Sequence, residues 1–90
     1  MKKRIITVVG KDSIGITAKV CVYLAENSVN ILDIAQTIVG GYFNMKMVVD
    51  IKESSKSTEI IANELKEIGD EIGVQIKVQH EKIFETMHRI

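Results

Sequence analysis

Gly10-Lys11-Asp12-Ser13-Ile14-Gly15-Ile16 joins an apolar strand pattern, Ile5 to Val9, to an apolar helix pattern, Ile14 to Ala25. A glycine at the end of a strand and a second at the start of a helix make a turn with little side-chain bulk. Backbone N–H groups in such a turn can point outward unobstructed. The first N–H groups of a helix have no intrahelical partners, and the helix dipole places partial positive charge there. A small anion, such as an amino-acid carboxylate, can dock at such a spot. The plainer reading is that Asp12 or Ser13 caps the helix and the glycines serve the turn. Asn30-Ile31, beyond the helix, is the expected partner of this stretch.

Upstream, Ile5, Thr7 and Val9 alternate with Ile6 and Val8, so a strand over 4–9 is apolar on both faces, as a central strand is. Downstream, the spacing predicts a helix over 13–27. Ile16, Val20, Tyr23 and Leu24 share a face, with Ile14, Cys21 and Ala25 beside them, and Lys19 and Glu26 lie off it. Asn27-Ser28 ends it, since Asn tolerates the left-handed conformation. A second strand is expected over about Asp33 to Val39, followed by a hairpin at Gly40-Gly41. The third strand, about Tyr42 to Lys52, carries the clearest period of two. Phe43, Met45, Met47, Val49 and Ile51 form one set, against Asn44, Lys46 and Asp50. Both methionines lie on the apolar set and read as core rather than as soft-metal ligands.

A polar loop over 52–56 leads to a second helix, about Ser57 to Ile72. Ile61, Leu65, Ile68 and Ile72 stripe it and Gly73 stops it. Over 74–80, Val74, Ile76 and Val78 alternate with Gln75, Lys77 and Gln79, the pattern of a half-wet edge strand. The tail over 81–90 places Ile83, Phe84, Met87 and Ile90 at helical spacing. It is too short to hold as a helix alone, so it should dock on its own sheet or on a second subunit. The order β-α-β-β-α-β, with right-handed crossovers, predicts an α+β ferredoxin-like sandwich over 4–80. It has a four-stranded antiparallel sheet of order 4-1-3-2 with both helices on one face. The other face has no internal cover, which, with the tail, predicts a homodimer, with a tetramer as the alternative.

The chain has 90 residues, enough for one domain, and 46% of them are hydrophobic, enough for a core of its own. Twelve basic and 12 acidic residues cancel, which argues against a dedicated nucleic-acid or membrane-surface binder. With one cysteine, Cys21, there is no intrachain disulfide and no thiol metal cage. The apolar run behind Met1-Lys2-Lys3-Arg4 is too short for a signal peptide, and no stretch approaches a membrane span, so a cytoplasmic protein is expected.

Because this fold hosts many functions, sites must decide among them. RNA recognition would need stacking aromatics on the central strands, and the first strand has none. A copper carrier would need a paired-cysteine motif in the first loop. Acyl-phosphate hydrolysis would need an arginine there, where Lys11 is the only cation. His80 and His88 lack a nearby carboxylate cluster and read as a surface and a packed histidine. No catalytic residue, metal site or cofactor is therefore expected.

The run Ile5 to Asp12 with Gly15-Ile16, then Asn30-Ile31 with Asp33-Ile34, then a β-hairpin, resembles the ACT domain over about 4–80. The chain is most similar to small stand-alone ACT proteins, which are like one half of tandem glycine-cleavage regulators. Its tail, Phe84 to Ile90, fits that subgroup. Ile14 stands where many members have proline, leaving the turn less pre-set. The resemblance implies a regulatory module that binds an amino acid or similar metabolite between two subunits, not an enzyme. Lys11, Asp12, Ser13, Ile14 and Gly15 of one subunit would meet the neighbour's Asn30-Ile31 turn. Asp12 would accept from an ammonium group, N–H groups near Ile14 and Gly15 would hold a carboxylate, and Asn30 could bond either. A protein partner would receive the signal. The alternative is an interaction protein that keeps the fold without the ligand, marked by the apolar tail and open sheet face.

Overall fold

The computed structural model describes residues 1–80. The expectation for the tail at 81–90 lies outside the described residues. The elements are β1 (Lys3–Lys11), α1 (Ile16–Glu26), β2 (Asn30–Val39), β3 (Tyr42–Asp50), α2 (Thr58–Ile72) and β4 (Val74–His80). They form one four-stranded antiparallel sheet, β2-β3-β1-β4, which is the expected order read from the other edge.

The core lies between this sheet and the helices. In register, Val8 faces Met45 and Ile76, and Ile6 faces Met47 and Val78, so these side chains share the helix-bearing face. Phe43, Met45, Met47, Val49 and Ile51 are all buried, as their alternation requires. Ile16, Val20, Tyr23 and Leu24 of α1 close the core from one side, and Ile61 and Leu65 of α2 from the other, with Ile68 and Ile72 packed against it. Ser57 caps α2 by accepting the Ile60 N–H at 3.3 Å, and Gly73 ends it in the left-handed conformation.

Several boundaries differ from the expected ones. β1 reaches Lys11, so Gly10 lies inside the strand and not in the turn. The first helix begins at Ile16, three residues late, and Ile14 is fully exposed instead of joining the apolar face. At the far end of α1 it is Ser28, at φ 58°, that turns left-handed. Asn27 stays at φ −107° and its side chain donates to the Tyr23 carbonyl at 2.8 Å. Asn30-Ile31 is the opening of β2, not a turn before it. Leu32 is an extra residue there, because Ile31 faces Val49 while Asp33 faces Val48.

The two helices are joined outside the core. Tyr23 Oη donates to Glu64 Oε1 at 2.6 Å, and Lys56 Nζ donates to the same oxygen at 2.7 Å. The Lys56 ammonium also sits 5.8 Å from the Tyr23 ring centre, within cation–π range.

Candidate functional site

The loop after β1 is held at its root and open at its tip. The Asp12 N–H donates to the Gly41 carbonyl at 2.8 Å, tying the loop to the β2–β3 hairpin. Lys11, at the end of β1, pairs with Tyr42 beside that hairpin. Beyond the tether, Asp12, Ser13, Ile14 and Gly15 are all exposed. Gly15 is the N-cap of α1, at φ 88° and ψ 4°, a conformation that a side chain rarely adopts. No side chain caps the helix, so neither Asp12 nor Ser13 performs the capping role that the plainer reading gave them. The first helical bond runs from the Lys19 N–H to the Gly15 carbonyl, 2.9 Å. The N-terminus of α1, with its partial positive charge, thus opens behind a glycine and an exposed isoleucine.

Asn30 lies at the other end of the molecule. It opens β2 opposite Asp50, whereas Val39 at the far end of β2 is opposite Tyr42. Eight steps along β3 separate these positions, roughly 27 Å at strand rise. Within one chain, therefore, the fold brings Lys11, Asp12, Ser13, Ile14 and Gly15 together and leaves Asn30 and Ile31 out of reach. At the Asn30 end, Asp50 Oδ1 accepts the Lys52 and Lys2 N–H groups, each at 3.0 Å. The Lys52 bond chiefly, and then the Lys2 bond, hold the Asp50 carboxyl below its ordinary range.

Between the two ends runs the open edge of β2. From Leu32 to Val39 every residue is exposed, including Ile34 at 43% and Ile38 at 55%. Thr17 Oγ1 of α1 donates to Gln36 Oε1 on this strand at 3.3 Å, placing a polar pair near the loop. Sequence reasoning did not single out Thr17, Gln36 or Ile38, and it used Ile34 only as part of the family motif. The available signal was Ile34-Ala35-Gln36-Thr37-Ile38-Val39, which is apolar in both alternating registers and so resists assignment to one buried face. Clefts of about 520 Å³ between α2 and β4 and 480 Å³ between α1 and α2 lie elsewhere, lined by Gly69 and Val74, and by Val22 and Ile68, respectively. Among the described residues, no three His, Cys, Asp or Glu side chains gather as a metal site would need. Cys21 is half-buried against the core.

A family model of the ACT domain matches residues 3–79. The chain belongs to the ACT domain family. A UPF0237 protein of Bifidobacterium longum is 53% identical over 90 residues, the whole of both chains. An ACT domain protein from Streptococcus pneumoniae superposes with a TM-score of 0.81 at 42% identity, covering 93% of this chain and 94% of that one. A structure described as a candidate glycine cleavage system transcriptional repressor superposes at TM-score 0.72 and 22% identity. It shares the fold over 87% of this chain, but that stretch is only 44% of its own length. The ACT domain is a regulatory, small-ligand-binding module. Among the described residues of this one, no helix is long and apolar enough to cross a membrane.

Proposed function

We propose that this ACT domain senses an amino acid or similar small metabolite at an interface between two copies of itself. The observation carrying this reading is the placement of the loop and Asn30 at opposite ends of one open strand. If two β2 edges pair antiparallel about a two-fold axis, the start of each strand lies beside the end of the other. Asn30-Ile31 of one copy then comes to the loop Lys11 to Gly15 of its neighbour. The open N-terminus of α1 and the N–H groups near Ile14 and Gly15 receive the ligand carboxylate. Asp12 accepts from the ammonium group, and the neighbour's Asn30 side chain bonds across the seam.

A ligand held across such a seam stabilises the assembled form by mass action. At one hundred times its dissociation constant it adds about 2.7 kcal/mol. That corresponds to a rise in melting temperature of about 10–20 °C for a domain this size. Thermal unfolding against the twenty amino acids, with size-exclusion chromatography on each hit, tests the reading. One or two amino acids should raise the melting temperature, and Asp12→Ala and Asn30→Ala should each remove the rise. No rise across the panel, with one oligomer throughout, sinks the sensor reading. A second reading, a protein-interaction module without a ligand, draws on the exposed Ile14 at the loop tip, a shape and chemistry suited to a partner's apolar pocket.

A further inference from the structure

On its helix-bearing side the β2 edge is uncharged. Ile34, Gln36 and Ile38 pair with Met47, Met45 and Phe43, and opposite residues in a sheet share a face. All three therefore point to the side that carries the core and the helices, yet both isoleucines stay exposed. The first turn of α1 reaches this row only at Gln36, through the Thr17 bond of 3.3 Å. Asp33 and Lys46, the nearest charges on β2 and β3, belong to the alternate register with Val48 and Ala35 and lie on the other face. The same row turns its backbone outward. Gly40 and Gly41, at φ 58° and 81°, make a two-residue turn closed by the Val39–Tyr42 pair, whose N–H and C=O groups bond to each other. Bonding alternates from there, so Ile38, Gln36 and Ile34 aim their N–H and C=O groups away from β3. The Ile34 N–H accordingly donates to the Asp33 carboxylate, at 2.9 Å.

We propose, resting on the sensor reading, that the ligand is an amino acid with a branched aliphatic side chain, seated on Ile38 of one copy and Ile34 of its neighbour. Two β2 edges joined about a two-fold axis at Gln36 set these two isoleucines opposite each other, with the neighbour's Asn30 at the hairpin end. The loop is tied to that same end through Gly41. A ligand with its carboxylate at the N-terminus of α1 and its ammonium group at Asp12 then has its side chain over the isoleucine pair. Hydrocarbon there gains with every methylene placed on the floor. A charged side chain would give up water with no counter-charge beneath it. Gln36, the polar member of the row, already accepts from Thr17. The loop and the neighbour's Asn30 thus recognise the groups that all amino acids share, and the floor selects among them.

Isothermal titration calorimetry of the full-length protein with each of the twenty amino acids tests this. Valine, leucine or isoleucine should bind tightest, at least about tenfold tighter than serine, and aspartate and lysine should give no heat. Ile38→Ala should weaken the aliphatic ligand at least about tenfold, with the dimer retained in sedimentation equilibrium. Ile38→Val, one methylene shorter, should weaken it about fourfold and covers the case in which the alanine dissociates the dimer. Tightest binding of an amino acid outside the three would overturn the aliphatic assignment and leave the sensor reading standing. Aliphatic binding undiminished in a dimeric Ile38→Ala or Ile38→Val would do the same. No heat from any of the twenty would sink the sensor reading and the aliphatic assignment with it.

Discussion

β2 and β4 both form edges of the same sheet, yet the chain treats them differently. β4 has seven residues, alternates apolar with polar, and buries Val74 and Ile76 beneath α2. Gly69 lets α2 approach it so closely that an added Cβ would stand 2.6 Å from the Val74 carbonyl oxygen. β2 has ten residues, carries apolar side chains on both registers, and is exposed from Leu32 onward. Exposed, apolar edge strands invite pairing with another chain, and proteins blunt the edges that must stay single. Here β4 is blunted by Lys77 and by the helix over it. On β2 the charge is limited to Asp33, whose carboxylate accepts the Ile34 N–H at 2.9 Å. One edge is finished within the chain, and the other is open, as the proposed pairing requires.

Substitutions that remove the cover of β4 should cost the most stability. Leu65→Ala, at a fully buried position of α2, should lower unfolding stability by about 2–5 kcal/mol, read from urea denaturation. Gly69→Ala should lose about 1–3 kcal/mol through the clash with Val74, despite alanine's better helix propensity. If Gly69→Ala is neutral, α2 does not lie as tightly on β4 as the backbone shows. On the other edge the prediction inverts. Ile34→Lys and Ile38→Lys should change unfolding stability measured at low protein concentration by no more than about 0.5 kcal/mol. They should weaken self-association at least tenfold, about 1.4 kcal/mol, in sedimentation equilibrium. A dimer that survives both lysines would show that β2 is not the pairing edge.

The smallest expected effect concerns the tie between the helices. The Lys56 ammonium first, and then the Tyr23 hydroxyl, hold the Glu64 carboxyl below its ordinary range. Its contribution is complete at neutral pH and fades as pH falls through that lowered pKa. Burial first, and then the hydrogen bond to Glu64, push the Tyr23 hydroxyl up. Its contribution persists below the ordinary tyrosine range and fades in strong alkali. Glu64→Gln should flatten the acid limb of a stability–pH curve, and Tyr23→Phe should flatten the alkaline one. An acid limb left unchanged by Glu64→Gln would place the pH dependence elsewhere.

The elements most legible in the sequence were those in which one face must be buried. Phe43 to Ile51 announced β3 because a period of two, with Val48 its exception, leaves a single reading, and the stripe from Ile61 to Ile72 did the same for α2. The start of β2 was obscured because the bulge at Leu32 breaks the alternation that marks a strand. The start of α1 was misjudged for a related reason. Asp12 and Ser13 have capping chemistry, but Gly15 takes the cap position by conformation alone, and a periodicity argument admits Ile14 to the helix without noticing the difference. The loop as a locus was visible in Gly10 and Gly15. The distance to Asn30 was not, since it follows from the antiparallel pairing of β2 with β3 and not from any local pattern.

The separation of the loop from Asn30 has a consequence for dosage. Under the proposed pairing no single chain owns a complete site, so ligand affinity and dimer affinity are linked by one coupling free energy that acts equally in both directions. The apparent ligand affinity would then climb with the abundance of the protein itself. A cell making few copies would respond only to a high metabolite level, and one making many would respond to a low one, with no change in any residue of the site.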